Sequence, residues 1–151
     1  MHWNILRDML ICVPATFFFA ILFRVPKKAV WFSSVLGAVG YAVYEWTALL
    51  LGSPIAGYFT GSLVMAACSE ALARVVKMPV TVFIVPAIIP LVPGFGLYQT
   101  MMYLVRGQDA QAGTTGTSTL LAIAAMAIAM ALTSVFTNAI VKVLRARKAE
   151  K

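Results

Sequence analysis

Residues 80–105 read VTVFIVPAIIPLVPGFGLYQTMMYLV, 26 residues without a charged side chain. That is long enough to cross the ~30 Å hydrocarbon core of a bilayer. Within it stand Pro86, Pro90 and Pro93, followed by Gly94 and Gly96. A proline lacks an N–H and its ring clashes with the carbonyl four residues back, so three of them forbid a continuous helix. The carbonyls of Val82, Pro86 and Ile89 lose their donors. A second half-helix starting near Pro93 leaves the N–H groups of Gly94, Phe95 and Gly96 without intrahelical acceptors. Unpaired groups of this kind are costly against lipid, so the break is buried in protein or lines a wet cavity. Transporters use such half-helix N-termini near the membrane midplane to hold anionic substrate groups. The plainer alternative is a structural kink, mended by neighbouring Ser or Thr hydroxyls. A kink needs one proline, not three. Counting from Val80 at ~1.5 Å per residue puts Pro93 about 20 Å in, near the middle of the core.

The rest of the chain has the same character. Hydrophobic residues make up 62% of its 151 positions, charged residues 11%, and the mean hydropathy is +0.91. No soluble domain of this size hides so much apolar surface, so the expectation is an all-α integral membrane protein. The net charge of +7 is not a nucleic-acid signature, because the basic residues sit between apolar segments and in the tail, where they report topology.

Five spans are expected, in one transmembrane domain over 1–151: about 5–23, 30–51, 55–76, the broken 80–105, and 118–141. The first reads as an uncleaved helix, since Arg7 is offset by Asp8 and Arg24, Lys27 and Lys28 follow the apolar run. A turn at Gly52-Ser53-Pro54 separates the second and third. After Arg106-Gly107-Gln108-Asp109, the stretch rich in Gly, Thr and Gln to about Gly116 is expected to be a loop. If the spans alternate, one side carries ten of the twelve Lys and Arg residues, and the other only Arg7 and Arg106. That bias predicts the N-terminus outside and the C-terminus in the cytoplasm. Ladders of small residues predict close helix contacts: Ser53, Gly57 and Gly61; Ala125, Ala129, Thr133 and Thr137; Ser34, Ala38 and Ala42.

Ionisable residues inside spans are expensive, and each has two readings. Glu45, beside Trp46, is either a carboxylate at the outer aromatic belt or a proton- or substrate-responsive group. Glu70 and Arg74, one turn apart, are either a structural ion pair or a coupling or gating pair. The candidate substrate-binding residues are Pro90, Pro93, Gly94, Phe95, Gly96, Tyr98 and Gln99. No metal-ligand spacing, nucleophile–base pairing or phosphate-binding glycine loop is present. Cys12 and Cys68 fall within spans and read as small apolar residues. The expectation is a protein that is not an enzyme, with no catalytic residue, metal or cofactor.

The run Val85-Pro86-Ala87-Ile88-Ile89-Pro90-Leu91-Val92-Pro93-Gly94, with Tyr98 after it, resembles the signature of the threonine/serine exporter family. The likeness is to the short, C-terminal-half type that occurs as a separate small subunit, and it extends to chain length, span pattern and the basic loop before the signature. The resemblance implies a bacterial inner-membrane exporter subunit working with a larger membrane subunit that has an additional soluble region. It also implies a small carboxylate-bearing substrate: threonine or serine, or a dicarboxylate such as succinate. Two other readings remain open, a non-transporting assembly subunit and a small channel formed by self-association.

Overall fold

A computed structural model describes the backbone of residues 2–149 and the side chains of residues 7–142. Among the described residues six α-helices follow one another: α1 His2–Leu22, α2 Lys27–Leu51, α3 Pro54–Val76, α4 Thr81–Ile88, α5 Gly94–Val105 and α6 Asp109–Ala149. One 3-10 turn, Ile89–Leu91, lies between α4 and α5. No strand occurs among the described residues, and the chain is an all-α membrane protein. α2, α3 and α6 are each long and apolar enough to cross a bilayer, and the α4/α5 pair, bent by 52°, makes a fourth candidate. The expected first span starts at residue 5, and that start lies outside the residues whose side chains are described. The basic tail beyond Lys142 lies outside them too.

Local chemistry sets the boundaries. Gly52 closes α2 with a φ of 62°, a left-handed conformation that glycine adopts without a Cβ penalty. Pro54 opens α3 at its first position, where a missing N–H removes no helical bond. Between them the chain reverses, and α2 and α3 pack at backbone distance. A Cβ on Gly57 would stand 2.6 Å from the Tyr44 carbonyl oxygen, and one on Gly61 would stand 2.8 Å from that of Gly40. Ser53, the first rung of that expected ladder, is the N-cap residue of α3 instead. On α6, Ala129 and Thr133 are buried, and α6 packs against α3.

α4 is the core element. Phe83 and Ala87 are buried with Ala29 and Leu36 of α2 and Met65 of α3. The carbonyl that Pro86 deprives of its donor, that of Val82, accepts a bond from the Ser33 hydroxyl of α2 at 3.4 Å. The Val92 N–H reaches back to the carbonyls of Ile88 and Ile89, at 3.2 and 3.3 Å. The break is therefore partly mended inside protein, as a hydrocarbon surrounding requires.

One expectation is overturned. The Gly-, Thr- and Gln-rich stretch to Gly116 is not a loop; after Gly107 (φ 68°) the chain enters α6 at Asp109 and stays helical. Its hydroxyls bond back to their own helix: Thr114 to Ala110, Thr117 to Gly113 and Thr119 to Thr115. Its small residues let α5 lie close, for a Cβ on Gly116 would stand 3.1 Å from the Thr100 side chain. A composition that marks a loop in water here makes a helix-packing face. The 41 residues of α6 span about 60 Å, twice the bilayer core.

Candidate functional site

The break between α4 and α5 forms one wall of a cavity of about 440 Å³. Pro90 to Gly96 supply that wall. Tyr41 and Tyr44 of α2 face it with Pro54, Ile55 and Tyr58 of α3, and Ser118, Thr119 and Ala122 of α6 close the third side. The size is that of a small-molecule site. Pro54 and Ile55 are the first residues of α3, so the cavity lies toward the α2–α3 turn and away from the end bearing Arg74 and Lys77.

The three tyrosines form a continuous aromatic wall. The rings of Tyr44 and Tyr58 lie 4.5 Å apart, and those of Tyr41 and Tyr44 lie 5.6 Å apart. No charged side chain lines the cavity among the described residues. At the opposite wall the α5 N-terminus contributes backbone donors. The Gly94 N–H is not free as expected; it turns back to the Val92 carbonyl at 2.7 Å. Leu97 bonds to the Pro93 carbonyl at 3.2 Å, and the Phe95 and Gly96 N–H groups have no backbone acceptor among the described residues. Such donors, at the positive end of a helix dipole, suit an anion.

The two glycines of the motif do different things. A Cβ on Gly94 would meet nothing within 4 Å, so this residue leaves the cavity open. A Cβ on Gly96 would collide with the Thr119 side chain, so that residue lets α5 touch α6. Of the sequence candidates, Pro90, Pro93, Gly94, Phe95 and Gly96 come together here. Tyr98 and Gln99 line a separate, smaller groove of about 200 Å³ along α5, with Phe95, Met102, Tyr103 and Arg106.

The charged candidates stand elsewhere. Glu70 and Arg74 pair along α3 at 3.4 Å, at the far end from the cavity. Glu45 follows Tyr44 but does not line the cavity. One of its carboxylate oxygens is buried with no hydrogen-bond partner among the described residues. Sequence reasoning missed Tyr41, Tyr44 and Tyr58. The signal was their position: Tyr41 and Tyr44 share a face at i, i+3, several residues inside a span where tyrosine belongs at the interface.

A half-open cavity at a broken helix, flanked by apolar helices and without a charged lining side chain among the described residues, defines a multi-pass helical membrane protein organised around that break. The sequence model described as Threonine/Serine exporter, ThrE, matches residues 8–136, and the chain belongs to this transporter family. No solved structure matches it.

Proposed function

We propose that this chain is a membrane subunit of a secondary-type exporter, and that threonine or serine passes through the cavity at the Pro90–Gly96 break. The observation that carries this reading is the pairing of two α5 donors, which have no backbone acceptor among the described residues, with an aromatic wall. The donors suit the substrate carboxylate. The faces of Tyr41, Tyr44 and Tyr58 suit its ammonium group by cation–π attraction, so Glu45 and Glu70 need not contact it. A dicarboxylate such as succinate needs a second cationic or N–H-rich site. Arg74, the residue of this chain offered for it, is ion-paired at the other end of α3. The lining therefore favours the amino acid, and a dicarboxylate depends on cations from another subunit.

The larger membrane subunit belongs to the proposal because α5 has no buried residue and exposes Phe95, Tyr98, Met101 and Val105. Glu45, with its unpartnered oxygen, is the proposed coupling group; the Glu70–Arg74 pair is the proposed gate at the basic end. The chain lies in a bacterial inner membrane with its N-terminus outside. Reporter fusions after residues 53 and 78 should read outside and cytoplasmic, and the reverse pattern would exclude this orientation.

The deciding experiment is efflux of labelled threonine, serine and succinate from vesicles containing this chain alone or with its co-purified larger subunit. Threonine and serine efflux from the pair, and none from the chain alone, is expected. No efflux of any substrate from the pair would leave an assembly subunit. Ion conductance by the chain alone would make it a channel.

A further inference from the structure

A second cavity, of about 450 Å³, opens between α1 and α2 at the end opposite the Pro-Gly break. Phe17 and Ile21 of α1, Val25 of the connection and Val30 and Trp31 of α2 form its walls, and Lys27 stands among them. We propose that this groove binds an anionic phospholipid of the bilayer, with an acyl chain along Phe17, Ile21, Val25 and Val30 and the phosphate on Lys27.

Charge argues for the headgroup. Arg24, Lys27 and Lys28 crowd into five residues, all are exposed, and none forms an ion pair among the described residues. The chain carries no Asp or Glu between Asp8 and Glu45. The nearest acid of that basic end of α3, Glu70, is taken by Arg74. Three unneutralised cations beside an intramembrane groove attract a phosphodiester, which is how basic pockets between membrane helices hold anionic lipids.

Shape argues for the chain. Below the cations the walls are aliphatic and aromatic, and a soluble phosphate metabolite would leave them uncovered. Trp31 is 66% exposed yet held against Phe17, ring centroids 5.2 Å apart and tilted by 55°. An amphipathic indole at the border of apolar and basic surfaces marks headgroup depth. The connection itself is fixed: Arg24 adopts a left-handed φ of 54°, and its N–H and that of Val25 return to the carbonyls of Ile21 and Ala20. The cations are thereby presented on a set turn.

The test uses the full chain extracted from membranes with whatever subunit accompanies it, and native mass spectrometry against added phosphatidylglycerol and phosphatidylcholine. Preferential retention of phosphatidylglycerol is expected. Since each basic residue near a membrane surface contributes ~1 kcal/mol, Lys27→Gln should lower that preference about fivefold. Adding Lys28→Gln should lower it further. Ile21→Trp, which fills the groove and leaves every charge in place, should abolish retention of both lipids. Equal retention of the two lipids, or an unchanged preference in Lys27→Gln, would overturn the proposal. Competition by glycerol phosphate at equal concentration would make the site a simple anion site instead. A change of oligomeric state in Ile21→Trp without any change in lipid retention would make it a protein contact.

Discussion

Gly94→Val is expected to lower export more than about tenfold while the protein reaches the membrane at its normal level. A hydrogen bond to a charged group contributes ~1.5–3 kcal/mol, so losing one of the two α5 donors to the substrate carboxylate suffices for that factor. The backbone should tolerate the change. Gly94 is the first residue of α5, its φ is not in the left-handed region, and a Cβ there meets open space. The methyl groups are expected to crowd the cavity that Gly94 lines, beside the Phe95 and Gly96 N–H groups, without disturbing a helix contact. Efflux measured at matched amounts of inserted protein is the readout, and wild-type efflux would remove the α5 N-terminus from the substrate path.

Gly57→Val is expected to prevent stable folding. Its Cβ would lie 2.6 Å from the Tyr44 carbonyl oxygen and 2.9 Å from the Ala48 Cβ. Neither neighbour can rotate away, since one is backbone and the other is the first atom of its side chain. Overpacking of a tight site costs about 1–3 kcal/mol and more where backbone must move, so a loss of about 3 kcal/mol or more is expected. Fluorescence-detected size exclusion after heating should show the monodisperse peak lost at a temperature where wild type keeps it. Gly113→Ala is the matched control, because a Cβ there meets nothing within 4 Å and alanine favours helix. If Gly57→Val and Gly113→Ala behaved alike, α2 and α3 would not be in backbone contact.

The break was legible in the sequence because it is local chemistry. A missing N–H at Pro86 or Pro90 acts on a carbonyl four residues away, whatever the rest of the chain does. The Glu70–Arg74 pair was legible for the same reason, since a four-residue spacing fixes its geometry. The mending of the break was not, because Ser33 lies far from Val82 in the chain and meets it only through tertiary packing. The aromatic wall was hidden likewise: Tyr44 and Tyr58 belong to different helices, and only the close approach at Gly57 and Gly61 stacks them. Residues 109–116 were misread because glycine and threonine signal loops when water competes for the backbone. Beside α5 they supply small surfaces and self-satisfied hydroxyls. Gly94 and Gly96 look equivalent in sequence and differ in what stands opposite them.

Among the described residues α5 packs against α6 and against no other helix, while α6 also packs on α3. α4, on the other side of Pro93, is fixed to α1, α2 and α3. A rod held by one neighbour goes where that neighbour goes. A tilt of α6 across α3 would carry α5 with it as an oar turns on its lock, the chain bending at Val92–Pro93. The tyrosines stand on α2 and α3, which pack on each other. The width of the cavity at the break is therefore set by how α6 lies on α3.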